Sequence, residues 1–246
     1  MTRTSKTPSP EQIAILRWAV RLGAVTAEAV AQHEGRTVAS ARARLLAAER
    51  AGLLSRRRVL AASPALYTVT RSGVRASGLR GFEPCRLGVS NAPHAIACAE
   101  VAAALEHAYP DHLVMGEREL RRDEREAGTQ LASARLGDGL DGAPLLHRPD
   151  LVLWPENPEQ SLPVAVEVEL TVKAPRRLLE ICRAWARCRC VAGTLYLAAP
   201  DVRRPLERAI AGAQAGERIV AVALDALLDP NAAQPTPAAS TVTADA

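Results

Sequence analysis

The stretch VAVEVELTVKAPRRL, residues 164–178, limits the fold more than any other part of the chain. From Glu167 to Lys173 polar and apolar residues alternate strictly, the period of a β-strand. Alternate side chains share a face, so Val168, Leu170 and Val172 line one side. Glu167, Glu169, Thr171 and Lys173 line the other. Two acids on one strand face repel each other, and Lys173 offsets this only in part. The chain has only two lysines, Lys6 and Lys173, among 31 basic residues. A compact ammonium beside two acids does work that a guanidinium does not.

The rest of the chain supplies context for that strand. At 246 residues, 48% hydrophobic and 24% charged, it has enough apolar sequence for one or two soluble domains. No apolar run reaches the length of a membrane span, and MTRTSKTPSPEQ lacks the apolar core of a signal peptide. The expected compartment is the cytoplasm, with no membrane partner. Five cysteines at irregular spacing argue against a disulfide framework. In the run CRAWARCRC, Cys188 and Cys190 on a helix would point to different sides, so no zinc site is expected there.

Charge divides the chain in two. Residues 1–90 hold fifteen Lys and Arg against five Asp and Glu, a balance of +10, whereas the remainder carries −6. A basic N-terminal module joined to an acidic C-terminal one is the reading this favours. The first can attract phosphates, so double-stranded DNA is the expected partner. The second can hold a metal ion.

Residues 1–9 read as a disordered tail and 10–82 as the first module. Ser9 and Pro10 form an N-cap and first helical position, with Gln12 nearby, and Gly23 ends the helix. Thr26 caps a second short helix. Thr37 caps a third, which stops at Gly52 and buries Val38, Ala41, Leu45 and Ala48. Two short strands, LLSRRRVL and ALYTVT, meet at a Ser63–Pro64 turn, and RSGVRASGL closes the unit. Three helices followed by a hairpin is the winged helix-turn-helix order. In helix-turn-helix proteins the second helix of the motif enters the major groove. That assigns Arg36, Thr37, Ser40, Arg42 and Arg44 to DNA, with Arg56, Arg57 and Arg58 on the wing.

Residues 90–229 form the second module and 230–246 a low-complexity, disordered tail. NAPHAIACAEVAAALEHAYP reads as a helix carrying His94 and Glu100, and HLVMGEREL as a strand. Residues 121–147 are rich in charge and glycine and read as a mobile loop. Glu117 and Glu119 are expected to pair with Arg118 and Arg121. HRPDLVLWP is a strand containing Asp150, and the acidic strand comes next. PRRLLEICRAWARC is a helix, GTLYLAAP a strand, VRRPLERAIAGAQAG a helix and RIVAVAL a last strand. The fold class is therefore α+β, with a mixed sheet flanked by helices in the second module.

Arg148-Pro149-Asp150, followed by Glu167 on the next strand, resembles the PD-(D/E)xK nuclease superfamily. That resemblance implies a restriction-endonuclease-like domain in which Asp150 and Glu167 bind Mg²⁺ or Mn²⁺. Glu100 on the preceding helix is a further metal candidate. Either it or His94, about one and a half turns earlier, could complete the site, the alternative for both being a capping or buried polar role. Glu169 and Lys173 then complete a catalytic set with Asp150 and Glu167. Carboxylates holding a hard cation suit phosphodiester hydrolysis, because the ion offsets developing charge and lowers the pKa of bound water. The sequence departs from the pattern at Glu169, where the superfamily has Lys. Lys173 lies four residues further on, about 13 Å away along a regular strand, a gap that a bend can shorten.

The order of YTVTRSGVRA, PHAIACAEV, RPDLVLW and VAVEVELT is similar to the replication-relaxation family of plasmid-associated proteins, over roughly residues 10–200. It implies DNA binding in plasmid or mobile-element replication and maintenance, with a nuclease-like domain whose activity the resemblance leaves open. The alternative is a noncatalytic winged-helix regulator whose C-terminal domain forms a homodimer or a scaffold.

Overall fold

The computed structural model describes residues 7–59 and 63–228. Most of the N-terminal tail, residues 60–62 of the hairpin and the C-terminal tail lie outside them, as does the expectation of disorder at residues 1–6 and 230–246. The protein is a mixed α+β structure.

The N-terminal part runs α1 (Pro10–Leu22), α2 (Ala27–His33), α3 (Val38–Arg50), β1 (Leu54–Arg57), β2 (Leu66–Val69) and α4 (Arg71–Ser77). The helix starts match the capping residues. Ser9 and Gln12 form a reciprocal capping box, and the hydroxyls of Thr26 and Thr37 accept from the N–H of Ala29 and Ser40. β1 and β2 pair antiparallel, and Val25 adds a bridge to Tyr67. Ala41, Leu45 and Ala48 are buried, but Val38 is exposed. As the first residue of α3 it lies past the edge of the buried stripe. Gly73 sits where a Cβ would come within 2.1 Å of the Leu53 carbonyl oxygen. α4 can thus press against the hairpin base only with glycine there.

The remainder runs α5 (Ala92–Ala108), β3 (His112–Gly116), α6 (Glu117–Ala127), β4 (Ala134–Asp138), β5 (Pro144–His147), β6 (Leu151–Pro155), β7 (Val164–Glu169), α7 (Pro175–Arg187), β8 (Gly193–Ala198), α8 (Pro200–Gly212), β9 (Ile219–Ala223) and α9 (Leu224–Leu228). Five strands form one sheet in the order β3-β6-β7-β8-β9. The first three pair antiparallel and the last three parallel. Strand alternation sorts its side chains. Leu151, Leu153, Val166, Val168 and Leu197 join the cluster around α5, whereas Val152, Ala165, Tyr196 and Ala198 pack with α7 and α8.

The cluster around α5 is continuous with the core of α1, α2 and α3, so the two charge-distinct parts share one interior. Polar contacts cross the same seam. Trp18 Nε1 donates to Glu106 at 3.0 Å, Arg21 pairs with Glu119, and Arg118 donates to the Val20 carbonyl at 2.9 Å. At Arg21–Glu119 a positive charge of the first part meets a negative charge of the second.

Four expectations change. Residues 117–147 are neither strand end nor loop but α6 and the β4–β5 hairpin. In α6 Leu120 and Glu124 are buried four residues apart, a helical spacing hidden by nine charged residues in eleven. Glu117 does pair with Arg121, but Glu119 turns to Arg21 and Arg122. β7 stops at Glu169, because Pro175 opens α7 and the chain must turn through residues 170–174 to reach it. Asp150 lies just ahead of β6 rather than within it.

Candidate metal centre and nucleic-acid interface

β6 and β7 separate at Asp150. Their register runs only as far as Leu151↔Val166, so the Val168 N–H loses its strand partner. Asp150 Oδ2 accepts that N–H at 2.8 Å, and the Asp150 carbonyl accepts the Glu117 N–H at 2.9 Å. The carboxylate closes the gap between the strands and is thereby oriented. Its other oxygen, Oδ1, lies 2.8 Å from His94 Nε2 on α5. Cys98 stands one helical turn beyond His94, with Sγ 3.4 Å from the same Nε2. The donor atoms of His94, Cys98 and Asp150 all lie within 4.8 Å of one another. The Asp150 hydrogen bond raises the His94 pKa against the effect of burial. Burial, then Asp150, Glu167 and Glu117, push the Cys98 thiol up.

Glu167 is buried on the α7 side of the sheet. Its Oε1 accepts from Trp185 Nε1 at 3.0 Å and lies 2.7 Å from His147 Nε2. The His147 ring meets Trp185 edge-on, with centroids 5.8 Å apart. Glu169 is buried too and forms an ion pair with Lys173. The turn after β7 folds Lys173 back, so the separation expected along a regular strand is not kept. Burial lowers the Lys173 pKa, and the charges of Glu167 and Asp150 oppose that shift. Asp150, Glu167, Glu169 and Lys173 therefore share one electrostatic neighbourhood.

Glu100 does not join it. Six residues past His94, it is turned about 120° around the helix axis from His94. Burial first, and then the charge of Glu28, raise its pKa. His147 is the participant that sequence reasoning missed. It lies three residues before Asp150 and reaches Glu167 only because the β4–β5 hairpin returns the chain there. Cys98 was missed as well, although its i+4 spacing from His94, which puts two ligands on one helix face, was the signal that could have found it.

The arginines assigned to DNA fall into two groups. Arg44 is largely buried between Glu34 and Glu11, and Arg36 lies 3.9 Å from each of those acids. Arg42 pairs with Glu28 at 3.3 Å and Arg56 with Glu49 at 3.6 Å. Arg57 and Arg58 are exposed on and beside β1, with Arg57 donating to the Leu87 carbonyl at 3.5 Å. Thr37 is exposed and Ser40 half-buried at the start of α3.

In comparisons with protein-family models, curated proteins and solved structures, nothing matches this chain. No helix among the described residues is long and apolar enough to cross a membrane.

Proposed function

We propose that this is a double-stranded-DNA-binding protein of plasmid or mobile-element replication and maintenance. Its N-terminal winged helix delivers DNA to a metal-dependent, nuclease-like C-terminal domain. The observation that carries the reading is the grouping of the His94, Cys98 and Asp150 donor atoms within 4.8 Å where β6 and β7 part, with Glu167 and Lys173 in the same electrostatic field. The residues are far apart in sequence, yet both carboxylates act on Lys173 and on His94. For the N-terminal part, support comes from the helix order, the antiparallel hairpin and the Val25–Tyr67 bridge that ties the hairpin to the helices.

The residues present fit a divalent ion. His94, Cys98 and Asp150 offer nitrogen, sulfur and oxygen within the span of one ion, a set that suits Zn²⁺. Mg²⁺ and Mn²⁺ prefer oxygen donors, which Asp150 and Glu167 supply. When bound, such an ion supplies charge to offset a phosphodiester and a lowered pKa for water. The chain's own groups do the rest. Asp150 is held by the Val168 N–H, Glu167 by Trp185 and His147, and His94 can carry a proton at Nε2. Lys173 presents an ammonium to a phosphate oxygen.

Nicking of supercoiled plasmid with Mg²⁺, Mn²⁺ or Zn²⁺ tests this, comparing wild type with Asp150→Asn and Glu167→Ala. Cleavage by wild type that both variants lose is the expected result. Equal cleavage by all three would refute the site. A second reading, a noncatalytic winged-helix regulator whose C-terminal domain dimerises or scaffolds, is favoured by the internal pairing of the acids. Glu169 is closed by Lys173 and Asp150 by His94. Wild type that binds DNA but never nicks it would select this second reading.

A further inference from the structure

Cys188 and Cys190 lie together, away from the Asp150 site. α7 ends at Arg187, and Cys188 is in extended conformation (φ −69°, ψ 123°). Side chains at i and i+2 of an extended segment point to the same side, which reverses the expectation for a continuing helix. The two Sγ atoms stand 3.2 Å apart. Gln130 Nε2 donates to Cys190 Sγ at 3.4 Å. Arg218 clamps the turn, donating to the carbonyls of Cys188 at 2.6 Å, Val191 at 2.8 Å and Ala192 at 3.0 Å. Both cysteines line a cavity of about 530 Å³ whose wall also includes Arg135, Arg187 and Arg189.

We propose that Cys188 and Cys190 are a reversible dithiol–disulfide pair whose co-substrate is a small disulfide bearing carboxylates. The Cys188 thiolate attacks one sulfur of that disulfide and expels the other half as a thiolate. Cys190 then gives up its proton and attacks the Cys188 sulfur, forming the Cys188–Cys190 bond and releasing the second half. The two protein thiols lose two electrons and two protons, and the co-substrate gains them as two thiols. The direction of attack follows from the local chemistry. The hydrogen bond from Cys190, with Arg218 adding positive charge, lowers the Cys188 thiol to about 7 and the same contact raises Cys190. A thiolate next to a second thiol is the arrangement exchange requires. Arg187 and Arg189, both exposed, supply the attraction for carboxylates, since Arg135 is paired with Asp138.

The full-length protein, incubated with oxidised glutathione and then alkylated, tests this by peptide mass mapping. Wild type should lose two hydrogens across residues 188–190 and carry little adduct. Cys190→Ser should stop at a mixed disulfide on Cys188. In Cys188→Ser, Cys190 should form its adduct about tenfold more slowly or worse. Stable adducts on both cysteines of wild type, or equal oxidation of Cys85 and Cys98, would overturn the pair. A comparison on wild type alone avoids dependence on variant folding. The neutral 2-hydroxyethyl disulfide should react several-fold more slowly than oxidised glutathione, and equal rates would overturn the arginine-lined subsite.

Discussion

Replacing Asp150 with Ala and with Asn separates its two roles. The carboxylate accepts the N–H of Val168, which is buried between the parted strands, and faces His94 with its other oxygen. Alanine leaves the buried N–H unpaired and takes the partner from His94. Losing a hydrogen bond to a charged acceptor costs about 1.5–3 kcal/mol, and an orphaned buried donor lies in the same range. For a chain of this length each kcal/mol lowers Tm by about 2–4 °C. Asp150→Ala should therefore melt about 3–12 °C below wild type. Asparagine keeps a carbonyl oxygen for Val168, so Asp150→Asn should lose about 1 kcal/mol, or about 2–4 °C. Both variants should lose the heat of Mn²⁺ or Zn²⁺ binding in calorimetry, since neither keeps the carboxylate. The assay is thermal denaturation followed by circular dichroism, in metal-free buffer. An unchanged Tm in Asp150→Ala, or equal losses in the two variants, would show that the carboxylate does not hold the strand gap. Metal binding undiminished in both would remove Asp150 from the ligand set.

Three other outcomes are expected. Gly73→Ala should destabilise by about 1–3 kcal/mol or more in urea denaturation, because its Cβ meets the Leu53 carbonyl and Val69 and the backbone must shift. Raised by Asp150, the folded pKa of His94 lies above its unfolded value, so its contribution to stability is complete below about pH 6.5 and lost as pH rises through the folded pKa. The Tm gap between metal-free wild type and His94→Gln should shrink between pH 6 and pH 9, and a gap that widens would be the wrong sign. Arg57→Ala should weaken binding to all DNA sequences alike and reduce the salt slope by about one. Arg44→Ala should instead lower Tm, because it leaves Glu34 largely buried without its closest cation.

Local chemistry was readable directly from the chain. Ser9, Thr26 and Thr37 mark their helix starts because a side-chain oxygen satisfies a free N–H within three residues, a matter of near neighbours alone. The alternation around Val166 and Val168 likewise announced a strand, although β7 is buried on both faces, and the order of helices and hairpin in residues 10–77 followed from caps and turns. Where charge obscured a helical spacing, as in α6, the sequence misled, because Glu124 is buried only through its contacts with Arg148 and the Leu131 N–H. The candidate site depended on tertiary structure for the same reason. Asp150 and Glu167 were visible as acids on successive strands, but their partners lie elsewhere in the chain. His94 comes from 56 residues upstream and His147 from 20, the latter returned by a hairpin. Lys173 reaches Glu169 only because the strand ends. Cys188 and Cys190 face each other only because α7 stops one residue before them. Residue type and short-range spacing are properties of the chain. Which donors meet is decided by where elements end and how the shared core packs them.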